Sequence, residues 1–497
     1  MRILLSSICL ETGTDIQLAL YYLKGFLLKQ SSPQHFSPKV QIKVFNENQS
    51  ISDIAKQILN CNPDLVGFSC YLWNIRKTLQ VSRQLKRYDD SIKIVLGGPE
   101  VSPRAEELLK INKFIDIIVR GEGEEAFAQL AKSLTVENPD LSPVKGISFR
   151  RGKCVISNSD RLNLADISII PSPYLTGLVN LKDRNIVDIP LETTRGCSFS
   201  CGYCYYHKEF LGLRFMPFSR VQKEFKMILS RKPREVYLMD ATFNSCPKRA
   251  KRILKLFIRH NRGANLHVEL RAELVDPEMA RLLYRANAYN IEIGIQSTNP
   301  RTLKAVNRPL NIGKFVQGIQ LLNKYKLFYE IQLIDALPFQ SFSGLKKSLD
   351  WLYDLHPAKV SIFRLNLLPG TVLRQHAARF GIKYQSQAPY RAIKSRAMSK
   401  ADLKRVEKIQ FAMERLYDSQ VFQNTLYALR DRAGVKISQI FEDWLVWEAK
   451  QKIHGPKYLD ELNKKSPQFL EYFCHRHSKA DLYYRLLPQL LKDLPGY

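Results

Sequence analysis

Three of the nine cysteines fall within eight residues, and no other feature of the chain asks so directly for chemistry. Cys197, Cys201 and Cys204 stand in a CxxxCxxC spacing inside ETTRGCSFSCGYCYY (192–206), directly after the apolar run IVDIPLE. Thiolates are soft donors that select zinc, copper(I) or iron–sulfur clusters. A structural zinc site wants four tetrahedral ligands, usually in two separated pairs. Here three sit on one short loop, with His207 as the obvious local fourth. A cluster held by three thiolates keeps one iron open to another ligand, which chemistry at iron requires. The spacing therefore predicts an iron–sulfur cluster, with a zinc knuckle as its competitor. Cys9, Cys61, Cys70, Cys154, Cys246 and Cys474 are scattered and read as packed thiols. Nine cysteines in so long a chain argue against a disulfide scaffold.

The elements that must position this loop follow from the apolar pattern. Apolar runs at 2–8, 40–45, 64–70, 92–96 and 115–119 alternate with amphipathic stretches at 15–29, 51–60, 74–87, 103–111 and 123–134. That alternation predicts an α/β fold opening with a doubly wound, Rossmann-like domain over 1–135. In such a sheet, ligands bind in the loops at the carboxyl ends of the strands. Residues 136–185, with ENPDLSPVKG, a hairpin over 147–157 and PSP at 171–173, have the composition of a linker. Strands at 235–239, 266–270, 290–295, 328–334 and 359–366 then predict a partial (β/α) barrel of TIM type over 186–399. Charged, amphipathic and aromatic-bearing segments predict a helical domain over 400–497.

Bulk properties bound the function. A chain of 497 residues is too long for one core. No run reaches the roughly 18 apolar residues of a membrane span. MRILLSSICL lacks the cleavage site of a signal peptide, so it reads as a first buried strand and the protein as cytoplasmic. A net charge of +29 raises affinity for nucleic acid or acidic partners, but the basic residues are spread out, so a solvated surface is favoured over RNA binding. In FCHRH (473–477), His475 and His477 read as a surface pair.

TTRGC, the three-cysteine spacing and the aromatic before the third cysteine resemble the radical S-adenosylmethionine (radical SAM) superfamily. The resemblance implies a [4Fe–4S] cluster on Cys197, Cys201 and Cys204 whose open iron takes S-adenosylmethionine. Further segments resemble family positions in the same order. YLMDATFN (237–244) corresponds to the strand end touching the methionyl amine, HVELR (267–271) to the ribose- and carboxylate-contacting strand, and EIGIQST (292–298) to the strand approaching adenine. These imply Tyr203, Asp240, Thr242, Glu269, Arg271 and Gln296 as cosubstrate contacts, although Glu269 and Arg271 could instead pair with each other. LIDALP (333–338) and LLPGT (367–371) resemble the last strands, but Gln332 and Ala336 replace the usual Asp and Gly.

PDLVGFSCYLWN (63–74), IVLGGPEVS (94–102) and RGEGEE (120–125) resemble the cobalamin-binding domain that precedes many such barrels. The candidates are Ser69, Cys70, Tyr71, Trp73, Gly97, Gly98, Pro99, Glu100, Ser102, Gly121, Glu122 and Gly123. Glycine pairs let a backbone approach a large flat ligand. The loop at 8–15 lacks the cobalt-ligating histidine of methyl-transfer domains, so no imidazole from it reaches cobalt. Cys9 and Cys70 are then possible thiolate donors, although packing is favoured. The resemblance implies reductive cleavage of S-adenosylmethionine by an external flavodoxin- or ferredoxin-type donor, hydrogen abstraction from a substrate, and methyl transfer from cobalamin. Radical cyclisation, rearrangement or oxidation is the alternative. A tRNA methylthiotransferase and a non-catalytic cobalamin- or RNA-binding module are more distant ones.

Overall fold

The five apolar runs of the first domain become five parallel strands. They are β1 (Arg2–Cys9), β2 (Lys39–Asn46), β3 (Leu65–Ser69), β4 (Lys93–Gly97) and β5 (Ile117–Val119), in the order β2-β1-β3-β4-β5. The computed structural model describes residues 1–10, 16–32, 36–419, 422–451 and 458–493. Connecting the strands are α1 (Leu18–Lys29), α2 (Ile51–Leu59), α3 (Ile75–Tyr88), α4 (Ala105–Ile111) and α5 (Gly123–Ser133). The strands are apolar on both faces because both are covered: Ile3, Leu5 and Val95 enter one layer, Leu4, Ile8 and Leu96 the other.

The hairpin expected within the linker, β6 (Ile147–Arg151) and β7 (Cys154–Ser157), pairs antiparallel onto β5 and extends the first sheet to seven strands. Part of the rest of that segment is packed as well, with Ile167, Ile170, Tyr174 and Val179 buried. Its turn residues mark irregular backbone and say nothing about whether that backbone is covered.

The second region contains β8 (Asp188–Leu191), the short antiparallel pair β9 (Thr194–Arg195) and β10 (Arg214–Phe215), then β11 (Glu235–Leu238), β12 (Asn265–Leu270), β13 (Ala288–Gln296), β14 (Tyr329–Ile334) and β15 (Lys359–Phe363). β8 and β11 to β15 form a six-stranded parallel sheet in chain order. Around it lie α6 (Tyr206–Glu209), α7 (Phe218–Leu229), α8 (Pro247–His260), α9 (Pro277–Arg285), α10 (Pro300–Ala305), α11 (Ile312–Lys324), α12 (Phe342–Tyr353) and α13 (Val372–Gln375).

One edge of this sheet is β8, where Pro190 interrupts the row of N–H donors and its carbonyl accepts from the Tyr174 hydroxyl. The other is β15, where the Gln410 side-chain oxygen accepts from Ile362 N at 2.8 Å. Gln410 belongs to α14 (Lys400–Met413), which opens on a capping box between Ser399 and Asp402. α15 (Gln423–Ala433), α16 (Ile437–Glu448), α17 (Tyr458–Arg476) and α18 (Ala480–Asp493) complete the helical domain around Trp444, Phe441 and Phe473. His477 there binds Asp443 at 2.6 Å, so it ties α16 to the end of α17. No helix among the described residues is long and apolar enough to cross a membrane.

Candidate active site at the domain junction

The cysteine loop is held from both ends. Before it, the buried Asp240 at the end of β11 accepts from Thr193 N at 2.7 Å, Thr193 Oγ1 at 2.5 Å and Thr194 N at 2.9 Å. Burial, opposed by these donors, pushes Asp240 up to about 6. Gly196 has φ +95°, and a β-carbon there would stand 1.7 Å from Gly212 O, so only glycine fits. Within the loop, Gly202 N donates to Val306 O at 2.7 Å and Gly202 O accepts from Leu373 N at 2.8 Å. Asn307 Nδ2 donates to Ser200 Oγ at 2.7 Å.

Cys201 is buried, Cys197 and Cys204 are half-buried, and all three thiols are free. Arg308 Nη1 lies 3.6 Å from Cys201 Sγ. Burial, with the neighbouring Cys201 and Cys197, pushes the Cys204 thiol up to about 11. A metal centre reverses that cost, because a coordinating thiol gives up its proton outright. Three free thiols on one short loop are the donor set that a cluster with one open iron takes.

Of the residues expected to contact the cosubstrate, Tyr203 lies in this loop and Asp240, Thr242 and Arg271 touch it. Thr242 Oγ1 lies 4.0 Å from Cys197 Sγ, and Tyr203 is held beside Cys201 and Arg308, its hydroxyl pushed up by burial. The Arg271 guanidinium lies 4.1 Å from the ring centre of Phe199 in the loop and bonds Glu273 at 2.8 Å. Glu269 accepts from Tyr237 Oη at 3.1 Å. Glu269 and Arg271 thus have separate partners and do not pair. Burial and the Glu292 carboxylate push Glu269 up to about 7. Gln296 has φ +70° and a buried side-chain oxygen without a partner. Its amide presses on Gly294, where a β-carbon would lie 2.2 Å away. A strained residue with an unfilled buried acceptor suits a bound ligand.

Deeper on the same sheet face, His267 bonds Glu292 at 2.8 Å and stacks on Tyr237. Desolvation lowers its pKa, but hydrogen bonds to Glu235 and Glu292 outweigh that and raise it to about 9. Gln332 donates to Glu292 at 2.7 Å and to Glu330 at 3.2 Å. A third carboxylate at position 332 would repel these two, so glutamine stands where Asp is usual. Ala336 has φ +55°, a conformation that suits glycine. Ala336→Gly is therefore expected to stabilise the barrel by about 1 kcal/mol, read as a higher denaturation midpoint. An unchanged or lower midpoint would show that the turn bears no strain.

A cavity of about 740 Å³ lies between the first domain and the barrel. Its wall on the first domain includes Ser69, Tyr71, Gly97, Gly98, Pro99, Gly121, Glu122 and Gly123. Its other wall includes Cys204, Tyr205, Tyr206, Phe210, Tyr237, Met239 and Leu368. It carries no histidine, and residues 11–15 of the loop at 8–15 lie outside the described residues.

Four cobalamin candidates stand off this wall. Cys70 is buried with its thiol toward Phe68 O, and Trp73 stacks on Tyr71 but is 52% exposed. Glu100 is committed to Arg104 and Tyr390, and Ser102 to Gly98 O and Glu209. Gly98 lines the cavity, yet its glycine requirement is internal. With φ +106°, a β-carbon there would lie 2.7 Å from Cys70 O. Close approach to a ligand is not what excludes a side chain at 98.

An ion network that the sequence did not reveal joins the two walls. Arg195, buried and two residues before Cys197, pairs with Glu124 at 2.8 Å, Glu192 at 3.0 Å and Glu122 at 3.2 Å. Arg214 pairs with Glu122 at 2.7 Å. Burial would raise Glu122, but Arg214 and Arg195 hold it below the usual carboxylate range. Burial pushes Glu209, on the same cavity wall, up to about 7. Arg195 lay inside the quoted TTRGC motif, and two carboxylates in GEGE (121–124) were the one local hint of a cationic partner.

Comparisons with known proteins agree with this layout. Residues 17–131 match the family described as B12 binding domain, 191–352 the Radical SAM superfamily, and 378–480 a protein of unknown function, DUF4080. The cobalamin-dependent radical SAM methyltransferase TokK of Streptomyces tokunonensis is 26% identical over 63% of this chain and 48% of its own. The anaerobic magnesium-protoporphyrin IX monomethyl ester cyclase of Cereibacter sphaeroides is 24% identical over 68% of this chain and 56% of its own. The chain thus spans about half the length of these curated relatives. The solved structure of the cobalamin-dependent S-adenosylmethionine radical enzyme OxsB, with aqua-cobalamin and S-adenosylmethionine bound, superposes with a TM-score of 0.66 at 17% identity, covering 99% of this chain and 80% of that one.

Proposed function

We propose that this chain, a member of the radical SAM superfamily with a B12 binding domain before its barrel and a DUF4080 domain after it, is an enzyme that methylates an unactivated carbon of its substrate. When bound, a [4Fe–4S] cluster supplies the electron that cleaves S-adenosylmethionine, and cobalamin supplies the methyl group. The carrying observation is the shared cavity, whose walls bring Gly97–Pro99 and Gly121–Gly123 opposite Cys204 and the tyrosines after it.

In this reading Cys197, Cys201 and Cys204 hold the cluster. Gln296, Arg271 and Glu269 orient the cosubstrate beside it, and Tyr203 and Thr242 close that pocket against the loop. Asp240 acts through Thr193 and Thr194, setting the direction in which the cysteines leave β8. The apolar wall made by Tyr205, Tyr206, Met239 and Leu368 excludes water from the space where a reactive carbon must survive. Gly97, Pro99 and Gly121 would hold cobalamin, and the described cavity wall offers it no histidine. The reading also places the protein in the cytoplasm, where reducing conditions keep its thiols free.

Gly97→Leu tests the cobalamin site. The nearest atom to a β-carbon at 97 is Val119 O at 3.8 Å, so the side chain enters the cavity without a backbone clash. The variant should take up iron and sulfide like the wild type and fail to retain cobalamin. Retention of stoichiometric cobalamin would remove the cofactor from this cavity. For the reaction, anaerobic turnover in an extract that supplies the substrate should form S-adenosylhomocysteine together with 5′-deoxyadenosine. The cyclase among the relatives supports a second reading, radical chemistry without methyl transfer, and 5′-deoxyadenosine formed alone would select it.

A further inference from the structure

The cysteine loop has a second, outward side that the cavity does not use. Ser198 and Ser200 are exposed there. Two stretches meet at this side: Val306 and Leu373 both hydrogen-bond the backbone of Gly202. Residues 293–329 and 355–401, from which these come, contain no Asp or Glu in a chain that has 47 of them. Arg301 and Lys304 on α10 and Arg379 beyond α13 are exposed and have no carboxylate partner among the described residues.

An aromatic centre accompanies these cations. Phe339 is 43% exposed and has φ +63°, a strained conformation for a large side chain that turns the ring outward. The Arg301 guanidinium lies 4.8 Å from its ring centre, and Phe380 packs edge-on at 5.8 Å. The Arg379 guanidinium lies 5.8 Å from the ring centre of Phe380. The patch is tied to the cysteines through α10. Asn299, its N-cap, reaches Phe339 O, and Asn307, just past its end, holds Ser200. By helical rise, Arg301 and Asn307 are about 9 Å apart.

We propose that this face, with Phe339 and Phe380 at its centre and Arg301, Lys304 and Arg379 around them, docks an acidic, low-potential one-electron carrier protein of the flavin or iron–sulfur class. The inference rests on the proposed function and adds the place where the electron enters. One electron leaves the reduced carrier and is accepted at the three-cysteine site. No bond forms there and no proton moves. A basic surface with an aromatic centre fits a small, transient protein interface, in which charge steers the encounter and apolar contact orders it. The alternative occupant, RNA, would need its reacting base in the cavity, and neither the cations nor the aromatics of this face line it.

The test uses the full-length reconstituted protein, with a bacterial flavodoxin as the probe. Arg301→Glu, Lys304→Glu and Arg379→Glu are combined in one variant, since exposed side chains without a carboxylate partner can be reversed without loss of folding. Flavodoxin affinity and the rate of cluster bleaching by reduced flavodoxin should each fall at least roughly tenfold. Bleaching by dithionite, which needs no docking, should be unchanged. In the wild type, both flavodoxin readouts should weaken with added salt. Equal flavodoxin-driven rates in variant and wild type would overturn the proposal. So would tight binding of an RNA oligonucleotide that is lost in the variant while flavodoxin bleaching persists. A wild type that binds no cluster would sink the proposed function instead. Flavodoxin titration of that unreconstituted chain would still decide the face.

Discussion

Cys201→Ala, reconstituted anaerobically, is expected to fall from about four irons per chain to a small residual amount and to lose 5′-deoxyadenosine formation entirely. Cys201 is the most enclosed of the three cysteines, and Arg308 faces its sulfur at 3.6 Å. Deleting the sulfur leaves two half-buried thiols and reduces the Arg308 guanidinium to its bond with Gly294 O, and two thiolates cannot hold a cluster that needs three. The loop itself should keep its path, because Gly196, Gly202 and Asp240 fix it through the backbone. Iron and sulfide analysis beside circular dichroism separates the two outcomes. Cys154→Ala, at an exposed thiol far along the chain from the loop, serves as the control that keeps its iron. Stoichiometric zinc without sulfide in the wild type would defeat the assignment.

Arg195→Met should uncouple the two walls of the cavity. The substitution keeps most of the side-chain volume but strands Glu122, Glu124 and Glu192 around a lost cation, with Arg214 left to serve Glu122 alone. Breaking a buried ion pair by removing one partner costs about 3–5 kcal/mol, because the remaining charge is left uncompensated. The loss should appear as faster hydrogen exchange at 121–124 and 192–197 together, with cobalamin retention reduced. Adding Glu124→Gln to Arg195→Met should recover part of the protection, since it removes one stranded carboxylate. Wild-type exchange in both segments of Arg195→Met would show that the network merely fills space.

The elements were legible because their signals are local. Apolar runs separated by amphipathic stretches place every strand of both sheets within a few residues, and three thiols on one loop need no partner from elsewhere to be noticed. What was not legible depends on residues distant in sequence. Arg195 and Glu124 are neighbours only after two sheets have folded and docked. Asp240, read as a contact of the methionyl amine, spends both its oxygens on Thr193 and Thr194. Gly98 looked like an opening for a ligand, but the Cys70 backbone is what its missing side chain avoids. Conversely, the replacement of Gly by Ala336 was visible in the sequence, whereas its left-handed backbone was not.

A six-stranded sheet in chain order has two open ends, and each is a template on which a strand from another molecule could pair. On β8, Pro190 supplies no donor, and its acceptor is already taken by Tyr174. On β15, Gln410 occupies the donor of Ile362. A complete barrel avoids self-association by closing on itself. Here a proline blunts one end and a borrowed glutamine the other. The helices after residue 400 therefore cover a sheet edge as well as filling space, because Gln410 on α14 occupies a donor that β15 would otherwise offer to another strand.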